Sequence, residues 1–335
     1  MKDKNGKSPE VFFRMIQNYK ETQVLLTALR LNVFSYLGTP ITAKDFSKAT
    51  GYDERNCEYF LKALVSIDLV IKEDDKYYNT ECANIYLNDK SELYMGKYML
   101  FREKMTTLDG IDDFIIKGPD EGVKERNCGN EVYDFKELAE TSEVEMKMRI
   151  PEFLGFMERV LKNRKVDKVL DLGGGCGFLT IELVKKYPHI KGVIFENPDV
   201  AEVARENVVN NSLEDKIKVI PGDFMVDDIG GDYDIVICSG VLLFGGKKLN
   251  YLVEKVFNSL NETGILMNVP HKCNEDCTKP EKMVIGWLGS HLRGMDVLIS
   301  YTKLEKAFAD SGFVKNCEYS DYEFKGYEYD IYKKL

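Results

Sequence analysis

Four glycines crowd into five positions at Gly173-Gly174-Gly175-Cys176-Gly177, just beyond Asp171. The residues before them, Lys168 to Leu172, form a short apolar run, and those after them, Leu179 to Lys186, have helical spacing. A strand, a glycine turn and a helix in that order let backbone approach a ligand closely. Glycine accepts positive φ and has no Cβ, and the first turn of the helix offers unpaired N–H groups. A nucleotide-like ligand fits such a turn. The dinucleotide pattern fails, because Phe178 stands where its third glycine should be. Asp171 instead puts a carboxylate where it can attract a cation, and a sulfonium carrying an amino acid suits it better than a pyrophosphate.

Three further strand ends carry matching chemistry. Lys191 to Phe195 reads as a second buried strand ending at Glu196, and an acid there is the usual partner of a ribose diol. Ile217 to Pro221 is a third strand, followed by Gly222-Asp223-Phe224, in which Asp223 can accept from an adenine amino group while Phe224 covers the ring. A fourth strand, Tyr233 to Cys238, ends in Ser239-Gly240. On the Asp171 to Gly177 turn, the Phe195-Glu196-Asn197-Pro198 stretch and Gly222-Asp223-Phe224, the chain from about Phe12 onward resembles the S-adenosylmethionine-dependent small-molecule O-methyltransferases with an N-terminal winged-helix dimerisation domain. The resemblance implies an α/β, Rossmann-like, doubly wound sheet of seven strands behind a helical and winged-helix domain. It also implies S-adenosyl-L-methionine as cofactor, held by Asp171, Gly173, Gly174, Gly175, Gly177, Glu196, Asp223, Phe224 and Ser239. Methyl transfer would then be an in-line displacement driven mainly by proximity and orientation.

One departure bears on the chemistry. The resembled family places a His, an acidic residue and a Trp a few positions after the fourth strand, and that His takes the acceptor's proton. Here the stretch is Ser239-Gly240-Val241-Leu242-Leu243-Phe244, with Leu243 in the place of the His. A positioned base gives a phenol acceptor about 10²- to 10⁴-fold in rate, so three possibilities stay open. The acceptor is an acidic group such as a thiol; it is a carbon or nitrogen nucleophile; or the base comes from elsewhere. Of the three His in the chain, His189 lies before the second strand, on the surface. His271 follows the fifth strand, Gly264 to Val269, and His291 lies in Trp287-Leu288-Gly289-Ser290-His291 on a helix expected to face the acceptor. Tetrapyrrole-ring-methylating members of the family have a similar Ser-His pair, which ranks His291 first and His271 second as catalytic candidates. His271, Cys273 and Cys277 also read as part of a metal site, but no second ligand pair accompanies them, and we expect no metal.

The elements that must position these groups are legible around them. Residues 10 to 37 are helical, with Val24, Leu25, Ala28, Leu29, Leu31, Val33 and Phe34 on an apolar face. Thr42 and Asp53 read as helix caps, Glu54 to Ile67 as a helix, and Leu69 to Lys72 with Lys76 to Asn79 as a hairpin, together a winged-helix pattern. Leu93 to Ile116 and Asn130 to Asn163 read as helices around a polar loop. The second of them helps to roof the acceptor pocket in the resembled family, so Tyr133, Phe153 and Met157, with Phe135, Met146, Phe156 and the later Trp287, are candidate acceptor-binding residues. After the helix Tyr301 to Ser311 come strands Val314 to Tyr319 and Glu328 to Lys333, joined by a hairpin at 321–327 and suited to an antiparallel sheet edge. The expected domains are 1–117 for dimerisation, 118–163 as linker and roof, and 164–335 for the cofactor.

Composition narrows the partners. The chain has 335 residues, enough for two sizeable cores, and 46 Lys and Arg against 56 Asp and Glu leave a net charge of −10. Nucleic acid and anionic membranes are thereby disfavoured. The Glu54 to Ile67 helix, which would read the major groove in a DNA-binding regulator, carries Glu54 and Glu58 against Arg55 and Lys62. No apolar run reaches the ~18 residues of a membrane span, the N-terminus is polar, and eight scattered cysteines fit free thiols, so a cytoplasmic homodimer acting on a small molecule is expected. A thiol methyltransferase and a ligand-binding or regulatory protein without catalysis are the alternatives.

Overall fold

The computed structural model describes residues 8–119, 133–316, 322–324 and 327–334. The chain divides into two compact units, Met1–Arg102 and Glu103–Leu335.

The first unit begins with a long helix, Glu10–Arg30, and a short one, Val33–Tyr36. Strand β1 (Ile41–Thr42) leads into helix Ala43–Thr50, whose Thr42 side chain accepts from the Asp45 N–H, and Gly51 ends that helix at φ 74°. Asp53 caps the next helix, Glu54–Ser66, by accepting from the Asn56 N–H. Strands β2 (Val70–Glu73) and β3 (Lys76–Asn79) form the expected hairpin, and β1 adds to β3 to give an antiparallel sheet in the order β1-β3-β2. Ala28, Phe34, Leu61, Leu64 and Tyr77 form its core. Leu31, expected on the apolar face, is exposed instead, because the helix stops at Arg30 and the chain turns through Asn32 at φ 52°.

The second unit is built on a sheet that needs both faces covered, since its central strands are apolar along their whole length. Strands β4 (Lys168–Leu172), β5 (Lys191–Glu196), β6 (Ile217–Pro221), β7 (Tyr233–Ser239) and β8 (Leu260–Val269) run parallel. Short strands β9 (Lys272–Cys273) and β10 (Ile299–Ser300) pair with each other apart from this sheet. Strand β11 (Phe313–Lys315), β12 (Tyr322–Phe324) and β13 (Tyr327–Lys334) complete the set. The order is β11-β13-β8-β7-β4-β5-β6, with β12 paired only to β13 as a hairpin. The antiparallel β13 lies inside the sheet and β11 takes the edge, a division of roles that two adjacent strand readings could not supply. Alternate residues feed two cores. Val169, Ile194, Ile235, Ile237 and Met267 join one, Leu170, Leu172, Phe195, Val236 and Leu266 the other.

Two helical readings are corrected. Leu93 to Ile116 is two helices, Gly96–Met105 and Ile111–Lys117, broken before Gly110 at φ 71°. Asn130 to Asn163 contains Phe135–Thr141, capped by Asp134, and Glu143–Leu161, in which Pro151 is tolerated mid-helix; residues 130–132 lie outside the described residues. Among the described residues no helix is long and apolar enough to cross a membrane. Cys57, Cys82, Cys176, Cys238, Cys273 and Cys277 are free thiols, while Cys128 and Cys317 lie outside the described residues.

Candidate functional site

Parallel pairing brings the carboxyl ends of β7, β4, β5 and β6 side by side. The order of connection reverses between β4 and β7, and the gap beyond that reversal is where open α/β sheets bind ligands. The glycine turn sits there, and each of its glycines is there for a different reason. Gly173 has φ 66° and a Cβ on it would meet Val241 at 2.7 Å, while one on Gly174 would meet the Asp171 carboxyl carbon at 2.8 Å. Gly177 has φ 82° and caps the helix Phe178–Lys186, against Ile194. At Gly175, φ 57°, nothing lies within 4 Å of an added Cβ: the backbone there faces open space. Asn207 donates to the Cys176 carbonyl at 2.9 Å and pins the turn from the helix Pro198–Asn210.

Asp171 is 1% exposed at the mouth of this turn. Thr180 donates to its Oδ2 at 2.9 Å, and its Oδ1 is buried without a hydrogen-bond partner. Burial pushes its carboxyl up to about 7; the Thr180 hydrogen bond opposes this, Glu196 adds to it and Arg149 opposes it. Arg149, on the helix Glu143–Leu161, is thus electrostatically coupled to Asp171, a residue that sequence spacing gave no means of finding. Glu196 accepts from the Gly175 N–H at 2.9 Å and from the Asn197 N–H at 2.7 Å; burial raises its carboxyl and these two bonds hold it back. Gly222 donates to the Glu196 carbonyl at 2.9 Å, which sets Asp223 and Phe224 beside the end of β5. Asp223 is exposed and its Oδ1 accepts from Met225 at 2.8 Å, while Phe224 and Ser239 are partly buried. All nine predicted cofactor residues therefore converge on one rim of the sheet.

The acceptor candidates separate. Phe153 and Met157 are 1% and 0% exposed in the packed core of the other face, with Phe156 and Val169, so the structure corrects their reading as pocket walls. Helical periodicity shows an inward face but not what it meets. Tyr133 and Trp287 stay together, ring centroids 6.1 Å apart, with Phe135 and Phe244 beside them. Leu243 is buried, 3% exposed. His291, on the short helix Leu288–Leu292, has a buried Nε2 without a hydrogen-bond partner and an Nδ1 3.9 Å from Asp296, and burial holds its ring below the usual histidine range. The sequence alone sets His271 beside two cysteines in a polar loop. The fold turns its ring against Gly240 at the end of β7, where an added Cβ would lie 2.8 Å from it. Among the described residues no cluster of three or more His, Cys, Asp or Glu could hold a metal ion.

With this geometry in view, comparison with known proteins gives the class. Residues 128–285 match the O-methyltransferase domain and residues 13–89 the O-methyltransferase dimerisation domain. An uncharacterised protein of Methanocaldococcus jannaschii is 31% identical over 78% of this chain and 71% of its own length. The acetylserotonin O-methyltransferase of Gallus gallus is 28% identical over 81% and 82%. The human N-acetylserotonin methyltransferase crystallised with S-adenosylmethionine superposes with a TM-score of 0.74 over 100% of this chain and 99% of that one, at 20% identity. The chain belongs to the O-methyltransferase family. It is an S-adenosylmethionine-dependent methyltransferase, and its cofactor is S-adenosyl-L-methionine.

Proposed function

We propose that the protein methylates a small aromatic, heterocyclic or tetrapyrrole-like acceptor without a base at the position of Leu243, and that it works as a homodimer through its N-terminal winged-helix unit. The observation that carries the cofactor assignments is the orphaned oxygen of Asp171 beside the open backbone at Gly175. A buried carboxylate with a spare acceptor is costly unless a ligand's cation completes it. Asp171 would hold the ligand's ammonium group and Arg149 its carboxylate, Glu196 the ribose hydroxyls, and Asp223 and Phe224 the adenine, with Ser239 closing the rim. S-adenosylmethionine supplies a methyl group made electrophilic by its sulfonium. The chain's own contribution is to bind, orient and exclude water, with Tyr133 and Trp287 on the acceptor. His291, whose ring burial holds below the usual histidine range, takes a proton from acceptors that carry one, and His271 is the second candidate.

Leu243 favours acceptors that need little help in losing a proton, a thiol, carbon or nitrogen nucleophile among them. Calorimetry with S-adenosylhomocysteine and with NAD tests the cofactor site. Binding of the first alone is expected; binding of NAD alone would overturn the assignments.

A further inference from the structure

Four aromatic rings from three separate stretches of the second unit form a closed circuit. Tyr133 and Phe135 are 5.8 Å apart at 65°, Phe135 and Phe244 5.7 Å at 87°, Phe244 and Trp287 6.3 Å at 84°, and Trp287 and Tyr133 6.1 Å at 76°. Each ring meets both of its neighbours edge to face, at 65–87°. With the four centroids at the corners of a flat square of such sides, its centre lies about 4 Å from each, inside the ~6 Å over which a ring face attracts a cation. Tyr133 is 6% exposed and the other three are partly exposed. Phe244 directly follows Leu243, and Trp287 directly precedes the helix that carries His291.

We propose that this box holds the acceptor's reacting nitrogen, a tertiary amine or an aromatic ring nitrogen that leaves as an alkylammonium or N-methyl heteroaromatic cation. The inference rests on the methyltransferase reading above and narrows its substrate class. As the nitrogen lone pair forms its bond to the methyl carbon, the carbon–sulfur bond breaks and its electron pair stays on sulfur, so positive charge passes to nitrogen and no proton has to leave. The ring faces carry negative charge density and stabilise that growing charge more than the neutral starting amine, which is the condition for speeding the step. An ionised oxygen or sulfur acceptor loses its charge in the same step and gains nothing from the box. A buried Leu243 in the place of a base fits the nitrogen acceptor equally well.

Trp287 is the chain's only tryptophan, so its fluorescence reports on the box directly. The full-length protein saturated with S-adenosylhomocysteine is titrated with two matched pairs, choline against 3,3-dimethylbutan-1-ol and N-methylpyridinium against toluene, with calorimetry alongside. At least one cation is expected to bind ten-fold or more tightly than its neutral isostere, with a change in Trp287 emission, and Phe244→Leu to abolish that preference while S-adenosylhomocysteine affinity holds. Equal binding within both pairs, or no binding of either cation, overturns the proposal even if Phe244→Leu does not fold. A preference for S-adenosylmethionine over S-adenosylhomocysteine that Phe244→Leu removes, without discrimination within either pair, overturns it in favour of the donor's sulfonium. Failure of S-adenosylhomocysteine itself to bind would refute the cofactor reading instead.

Discussion

Cofactor binding should release a proton, and Asp171 sets how much. Burial brings its carboxyl from an ordinary 3.8 to about 7 in the ligand-free protein, so near pH 7 about half the molecules carry it neutral. A ligand's ammonium group needs it ionised. Binding of S-adenosylhomocysteine is then expected to release about half a proton at pH 7, close to a whole one at pH 6 and almost none at pH 8, with the affinity falling toward ten-fold per pH unit below 7. Calorimetry at these pH values in two buffers of different ionisation enthalpy measures the proton count. The same carboxyl makes the ligand-free fold less stable as pH rises. The folded state holds its proton more tightly than the unfolded state, so stability falls between about pH 4 and 7 and the full cost, at most roughly 4 kcal/mol, is present above 7. Asp171→Asn should flatten that slope and raise the melting temperature at pH 8, while weakening S-adenosylhomocysteine by about 10²-fold or more. An affinity unchanged from pH 6 to 8, or proton uptake on binding, would refute the reasoning.

Gly175→Ala should cost only about 1–2 kcal/mol of stability, the price of positive φ in open space, yet weaken S-adenosylhomocysteine at least ten-fold; Gly177→Ala, aimed at Ile194, should lower the melting temperature more. The His291 ring should titrate below the usual histidine value by NMR, and Asp296→Asn should move it lower still, because Asp296 opposes the effect of burial; an upward move would contradict the electrostatics. Phe12, Phe13, Met15, Ile16 and Tyr19 are 55–70% exposed along one helix, more apolar surface than a solitary unit usually leaves in water. Phe13→Asp with Ile16→Asp should therefore shift the protein from dimer to monomer in light scattering, and a wild type already monomeric would rule the dimer out.

Local chemistry made the glycine turn and the strand ends around it readable from the residues alone. A glycine turn, an acid at a strand end and a capped helix are each decided by residues within a few positions of one another, and Gly173 to Gly177, Glu196, Thr42 and Asp53 all behave accordingly. Strand β8 shows where that stops. Its first residues, Asn261-Glu262-Thr263, are polar because that end is open to solvent, so the strand seemed to begin at Gly264 when it begins at Leu260. Arg149 reaches the Asp171 field from a helix that precedes β4, and Phe153 turned out to face core; helical spacing gives a direction without naming the neighbour.

The catalytic side depends wholly on such long-range placement, and Leu243 is the instructive case. Read alone, a leucine in the place of a base is a loss. In the fold its neighbour Phe244 completes a circuit with Tyr133, Phe135 and Trp287, while the two candidate histidines lie one against Gly240 and one facing Asp296. On the proposal above, a site with aromatic walls in place of a proton acceptor would stabilise a different charge. Restoring the histidine tests that view: Leu243→His should not raise the rate on a nitrogen acceptor, since no proton leaves before the methyl group arrives, and should raise it by about 10²-fold or more on a phenol. A gain on the nitrogen acceptor as large as on the phenol would mean that proton removal, and not charge stabilisation, limits this enzyme.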